Sequence, residues 1–250
     1  MILALETATD VCGVALVDHG KVIATDSITE KKIHSEKLLP MIDRLLHDAS
    51  RTLGDVDAIA VSIGPGSFTG LRIGLSTAKG LARALRKPIV PVSTLDALAY
   101  AFARSTVGKA FETICPLVDA KRDEAFYRLY SSDVSGVRSL GPANIASVSA
   151  IADLTSDLSS IAFTGDGAKK MDSQTTHGEH VRCFPEFLCD PAAVGLLAEK
   201  DGRMLEEPEV AVLEPSYLRD FLATQPAKNR TFPVKPPPID STTFVHSSKD

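Results

Sequence analysis

The sequence predicts an α/β protein of two similar lobes, each built on a β-β-β-α-β unit. Three observations carry this. The first hundred residues read strand, strand, strand, helix, strand, helix, strand, helix. The same opening order returns after residue 110. The chain has 250 residues, 44% hydrophobic and 24% charged, which is ordinary for a globular protein and leaves room for a sizeable core in each half. The expected division is an N-terminal lobe over 1–105, a C-terminal lobe over 106–224 and a tail over 225–250.

Residues 2–8 and 11–17 are apolar runs, and Asp18-His19-Gly20 is a turn signal leading to a third strand over Val22 to Ile28. The period then changes. Leu38, Met41, Ile42, Leu45, Leu46 and Ala49 recur every three to four residues, an amphipathic helix capped by Ser35 and disturbed by Pro40 in its second turn. Val56 to Ile63 is nearly all apolar, as a strand covered on both faces should be. Gly64-Pro65-Gly66-Ser67 breaks it, and a helix follows from Phe68 to Leu85. Pro88 to Val92 is a fifth strand, and Ser93 or Thr94 caps a helix to Phe102. Two crossovers of this kind are right-handed and parallel. In the second half, Phe111 to Val118 and Ala125 to Tyr130 are paired strands, and Val137 to Leu140 is the weak third. Ser147 to Leu158 and Pro191 to Lys200 are helices flanking a strand at Ile161 to Thr164. After Gln225, prolines 226, 233 and 236–238 among scattered Ser, Thr and Lys bury too little apolar area to fold, which predicts a disordered tail.

Composition excludes several classes. Lys plus Arg is 27 and Asp plus Glu is 32, a net charge of -5, against a free-standing tight nucleic-acid binder. The four cysteines form no C-x-x-C pair and sit in apolar surroundings, so buried reduced thiols are expected. The start lacks a basic n-region, and no uncharged apolar run reaches the ~18 residues that span a bilayer. A cytoplasmic protein without a membrane segment is the expectation. His177 and His180 are three apart in a polar stretch without hydrophobic support, so no metal is expected there, and His34 reads as a surface residue. No Ser/His/Asp set can be assembled.

The most informative segment is Gly64-Pro65-Gly66-Ser67-Phe68-Thr69-Gly70-Leu71-Arg72-Ile73-Gly74, a strand, a glycine-rich turn and a helix start. Gly66 and Ser67 stand where free backbone N–H groups can hold an anion, or where the chain simply turns. The spacing is not a dinucleotide fingerprint, and a phosphate-loop lysine is missing. On the following helix Gly70, Gly74 and Ala78 form a stripe without bulk, although each glycine there costs about 1 kcal/mol relative to alanine. Either this protein's own sheet or another molecule's helix approaches it. Arg72, Lys79, Arg83 and Arg86 on the same helix are either a solvated face or a nucleic-acid face. In two-lobed phosphotransferases the first hairpin of each lobe grips nucleotide phosphates through glycine-bearing turns. Here those turns are Glu6-Thr7-Ala8-Thr9-Asp10 and Asp119-Ala120-Lys121-Arg122-Asp123, both without glycine. Glu6, Thr9 and Asp10 are the candidate nucleotide-proximal residues, through water-held Mg²⁺ or as plain turn chemistry. Gly165-Asp166-Gly167-Ala168 is either a plain turn or a close approach to a ligand.

The long glycine motif, with Ala78-Lys79-Gly80-Leu81-Ala82, closely resembles the TsaB (YeaZ) family. His34-Ser35-Glu36, Val118 to Glu124 with Tyr127, and Pro215-Ser216-Tyr217-Leu218-Arg219 fit as well, so the resemblance spans about residues 1–220. It implies an actin-like, sugar-kinase-like fold and a non-catalytic scaffold or dimerisation subunit in the formation of threonylcarbamoyladenosine in tRNA. The implied partners are the catalytic paralogue TsaD, the ATPase TsaE and a second copy of the chain, with tRNA reached only through the complex. TsaD's paired metal histidines are spaced H-x-x-x-H, and this sequence has no such pair. No resident cofactor is implied, except a nucleotide shared at the TsaD interface. The resemblance shifts the stripe toward an intermolecular contact, with Gly70, Leu71, Gly74 and Ala78 meeting Leu38, Met41, Ile42 and Leu45 of a facing helix. Glu6 stands where many relatives carry Asp. The competing class is an ATP-dependent phosphotransferase or ATPase of the same fold.

Overall fold

The computed structural model describes residues 1–30, 32–134, 136–171 and 181–218. The tail over 225–250 and the pair His177 and His180 lie outside the described residues.

The first three strands, β1 (Ile2–Glu6), β2 (Val11–Asp18) and β3 (Lys21–Thr29), form the expected antiparallel meander. Helix α1 (His34–Asp48) leads to β4 (Ala58–Gly64), α2 (Phe68–Leu85) to β5 (Ile89–Ser93), and α3 (Thr94–Arg104) follows. The sheet order is β3-β2-β1-β4-β5, with β4 parallel to both β1 and β5. Ser93 caps α3 by accepting from the Asp96 amide. The cap expected of Ser35 is absent: the N-cap position falls two residues earlier, on Ile33, without a side-chain cap, and α1 runs through Pro40.

The second half reads β6 (Thr113–Asp119), β7 (Glu124–Tyr127), β8 (Tyr130–Asp133), β9 (Gly136–Ser139), β10 (Asn144–Ser147), α4 (Val148–Leu154), β11 (Ile161–Thr164), α5 (Ala168–Met171) and β12 (Val181–Phe184). Its main path is β10-β7-β6-β11-β12, with β7 antiparallel to β6 and β10, and β11 parallel to β6 and β12. Strand for strand this repeats the first sheet, so the expected duplication of the β-β-β-α-β unit is present. One expectation is corrected. The third meander strand is β10, whereas Val137 to Leu140 lies mostly in β9, which pairs with β8 in an inserted hairpin.

Strand alternation sorts the first sheet by size. Leu3, Leu5, Val14 and Leu16 face α1 and α2, and Leu38, Met41, Ile42, Leu45 and Leu46 of α1 fill this layer. The other face carries Ala4, Ala15, Ala58 and Ala60, small enough for a helix to lie close. That helix is α6 (Pro191–Asp201), which brings Ala192, Ala193, Val194 and Ala198. A Cβ on its Gly195 would sit 2.6 Å from Val17 Cγ2. The helix expected to serve the C-terminal lobe therefore covers the N-terminal sheet. Helix α3 is shared: Ala97 packs in this layer, while Ala99 and Phe102 pack with Phe111, Ile114 and Ala162 of the second half. The short α7 (Glu209–Val212) adds Val210 to the α1–α2 layer. Cys12, Cys115 and Cys189 are buried free thiols, as expected, whereas Cys183 on β12, expected buried too, is only half-buried. Among the described residues no helix is long and apolar enough to cross a membrane.

A fragment of residues 1–105 leaves the alanine face of its sheet bare and is expected to unfold without a cooperative transition. The same fragment with residues 188–203 appended by a flexible linker should regain one, read by thermal denaturation.

Candidate functional site

Helix α2 begins directly above the β1–β2 turn, and backbone lies on backbone there. Ser67 caps α2 by accepting from the Gly70 amide, and its own N–H donates to Ala8 O at 2.7 Å. A Cβ on Gly66 would lie 2.1 Å from Ala8 O, one on Gly70 2.0 Å from Thr7 O, and one on Gly74 2.1 Å from Thr7 Oγ1. The helical cost of the glycines is thus repaid by close approach of the chain's own turn. Ala78 is buried in the same core. This corrects the expected intermolecular use of Gly70, Gly74 and Ala78. Leu71, expected beside the stripe, and Leu38, Met41, Ile42 and Leu45, expected on the facing helix, are likewise 1–3% exposed within one chain.

From below, Glu6 at the end of β1 holds the turn. Its Oε1 accepts from the Ala8 N–H at 2.8 Å and faces Thr9 Oγ1 at 3.4 Å. Its Oε2 accepts from Ser62 Oγ and from Cys189 Sγ, the latter at 3.3 Å. Glu6 is fully buried, and burial is the largest influence on it, lifting its carboxyl above the ordinary glutamate range against the pull of Ser62, Cys189 and the Ala8 and Thr9 backbone. The Cys189 thiol is pushed well up by burial and then by Glu6. From the side, His34 Nε2 lies 3.1 Å from Thr9 O and 3.2 Å from Val11 O. Both neighbours are acceptors, so Nε2 carries the proton. His34 is buried, not on the surface as expected. The Val11 N–H donates to Thr9 Oγ1 at 3.2 Å.

The second half repeats the device. Asp119 ends β6 as Glu6 ends β1, and its Oδ1 accepts from the Lys121 N–H at 2.7 Å, again two residues on. Lys121 and Arg122 take left-handed backbone, φ 68° and 50°, where phosphate-gripping turns use glycine. Lys170 Nζ donates to Asp119 Oδ1 at 2.5 Å, to Arg122 O at 2.6 Å and to Glu124 O at 3.1 Å. Burial works to raise the Asp119 carboxyl, but the bonds from Lys170 and the Lys121 amide, with the Lys121 charge, outweigh it and hold it below the ordinary range. Asp166 donates no charge relief: it accepts from the Asp119 N–H at 3.0 Å, and burial first, then the charges of Asp119 and Asp10, raise its carboxyl. Gly165-Asp166-Gly167 is a plain turn, its glycines pressed against Leu117.

A nucleotide needs open amides in both turns. Glu6 and Asp119 already occupy them from within, so the residues present do not fit a tightly held triphosphate, and the Glu6 carboxylate is enclosed where a water-held cation would have to reach it. Among the described residues no group of three His, Cys, Asp or Glu side chains is arranged to hold a metal ion. The Pro215-Ser216-Tyr217 segment closes over the glycine turn, with Ser216 N–H on Ile63 O at 2.7 Å and the Tyr217 ring 5.2 Å from Phe68.

The outer face of α2 carries a second small-residue row. Ser76, Gly80 and Ala84 are spaced by four, all are exposed, and a Cβ on Gly80 would meet nothing within 4 Å. The expected stripe lies inside; this one, shifted by six residues, lies outside.

Residues 22–172 match the family described as TsaD: tRNA N6-adenosine threonylcarbamoyltransferase. The chain is 36% identical over 136 residues to a tRNA threonylcarbamoyladenosine biosynthesis protein TsaB of Escherichia coli, covering 54% of this chain and 57% of that one. It is 39% identical over 130 residues to the TsaB protein of Bacillus subtilis, covering 52% and 54%. These matches thus span little more than half the length of the curated relatives. The crystal structure of YeaZ from Pseudomonas aeruginosa superposes with a TM-score of 0.73 at 29% identity, covering 87% of this chain and 99% of that one.

Two outcomes are expected from substitution. Gly74→Ala gains up to about 1 kcal/mol of helix propensity but loses about 1–3 kcal/mol to overpacking on Thr7 Oγ1. Thr7→Ala, which removes a buried hydroxyl without a partner, should restore it in the double variant, so chemical denaturation should show strong coupling between the two sites. A raised Glu6 carboxyl means the folded state keeps a proton that the unfolded chain has lost, so stability falls as pH climbs from about 4.5 toward the folded value. Glu6→Gln should lack that part of the decline when denaturation midpoints are compared between pH 5 and pH 8.

Proposed function

Because the chain belongs to the family of TsaD-related proteins and, within it, to the TsaB/YeaZ group, we propose that it serves as a non-catalytic scaffold subunit in the formation of threonylcarbamoyladenosine in tRNA. The names of its relatives supply the pathway. The observation that carries the non-catalytic part is Glu6: its buried carboxyl group fills the amide nest that a phosphotransferase keeps open for its nucleotide. The second turn, bound by Asp119 and Lys170, points the same way. The missing H-x-x-x-H pair supports the division of labour that the resemblance implies, with the transfer carried out by a TsaD-like paralogue.

The docking face in this reading is the outer surface of α1 and α2. Ser76, Gly80 and Ala84 let another helix come close, and α1, which packs in the same layer as α2, carries Leu39 at 58% exposure. A TsaD-like subunit takes this face in the complex, a second copy of the chain takes it otherwise, and a TsaE-like ATPase joins the assembly.

Gly80→Arg separates docking from folding. Nothing inside the chain meets a side chain there, so thermal stability should hold or rise, by up to about 1 kcal/mol from helix propensity alone. Affinity for a purified TsaD-like subunit should fall at least tenfold in a titration. Unchanged affinity overturns the docking face. Calorimetry of the isolated chain with Mg·ATP should give no binding heat at millimolar nucleotide, and micromolar binding would favour the phosphotransferase class instead.

A further inference from the structure

Three surface cavities differ in how their charges are used. One of about 390 Å³ sets Arg83, Arg86 and Lys87 against Glu206 and Glu207. Another of about 330 Å³ holds Arg128 and Arg203, but Arg128 is bonded to Asp96 at 3.0 Å and Arg203 to Glu209 at 2.5 Å. The largest, about 830 Å³, lies where the C-terminal ends of α3 and α6 meet the β8–β9 hairpin. Three cations converge on it from three elements: Arg104 from the last turn of α3, Lys109 from the single turn Gly108–Ala110, and Lys200 from the last turn of α6. Asp133 is the one acid among the described residues that line it.

Two of the cations share one aromatic ring, and Lys200 also lies 3.6 Å from Asp201. The Arg104 guanidinium stands 5.3 Å from the Tyr100 ring centroid and the Lys200 ammonium 6.0 Å from it, so one half-buried ring gathers both. Among the described residues neither Arg104 nor Lys109 has a carboxylate within 4.0 Å. Part of the Arg104 and Lys200 charge answers the negative ends of their own helices, but Lys109 has no such helix behind it. On a chain of net charge -5, Arg104 and Lys109 leave two positive charges on one concave surface without an internal ion pair among the described residues, with the exposed Lys200–Asp201 pair beside them.

We propose that this cavity binds the phosphodiester backbone of RNA, through Arg104, Lys109 and Lys200. A volume of this size takes a nucleotide-sized segment, and cations from three separate elements suit successive phosphates better than a single buried anion. The choice of RNA over other polyanions rests on the tRNA reading above, whereas the anion site itself does not.

The test uses the full chain, alone and reconstituted with a TsaD-like subunit, and an unmodified tRNA transcript followed by fluorescence anisotropy across a salt series. Arg104→Glu/Lys109→Glu should weaken tRNA binding by about tenfold or more and flatten the salt dependence by roughly 1.5–2 in log–log slope, about the share of two phosphates. Arg83→Glu/Arg86→Glu, on the cavity whose charges are offset, should change neither. Equal binding by wild type and the Arg104/Lys109 variant, both alone and in the complex, overturns the proposal. So does loss of the TsaD-like subunit with tRNA binding intact, which would make the cavity a protein-docking face. A wild-type complex that forms normally yet takes up no tRNA through this cavity leaves the scaffold reading standing and removes only the RNA site.

Discussion

The approach of α2 to the β1–β2 turn is the constraint from which the rest of the N-terminal half follows. Two backbones lie so close that no side chain fits between them at Gly66 or Gly70, and only the Thr7 side chain fits opposite Gly74. That closeness buries the turn, and a buried turn must satisfy its own amides and carbonyls or lose the free energy of each unmade bond. Glu6 accepts from the amides, His34 donates to the carbonyls, and Ser67 bridges turn and helix. The glycines, the acid and the histidine, distant in sequence, are parts of one packing solution.

The two halves solve the same problem with different electrostatics. In each, an acid at the end of the first strand accepts from the amide two residues on. Glu6 has no cation beside it and sits at full burial, so its charged form is disfavoured. Asp119 is joined by Lys170 and Lys121, and its charged form is favoured. In both turns a carboxyl group of the chain itself takes up the amide that a bound phosphate would need.

Much of the architecture was legible because period-2 and period-3.6 patterns are strong in β1 to α3. It failed where chemistry and pattern part. β10 is Asn-Ile-Ala-Ser and β9 is Gly-Val-Arg-Ser; both are short and mixed, so pattern alone does not tell which of them pairs with β7 as the third of the meander. The small-residue rows on α2 show the deeper limit. Gly70, Gly74 and Ala78 and then Ser76, Gly80 and Ala84 have the same spacing, and only the tertiary structure tells which row faces the sheet. The acid at position 6 was singled out for its charge, but its partners, Ser62 and Cys189, lie 56 and 183 residues away and leave no local trace. His34 gave no signal of burial, since its acceptors are backbone carbonyls of another element.

The position of α6 in the chain has a consequence for biosynthesis. The first sheet is complete once Ser93 has been made, yet the helix that lies on its alanine face ends at Asp201, about 5–20 s later at ordinary elongation rates. During that interval the nascent sheet emerges from the ribosome with one apolar side open to water and to its neighbours. Cotranslational folding of the N-terminal sheet therefore waits for α6 rather than proceeding lobe by lobe.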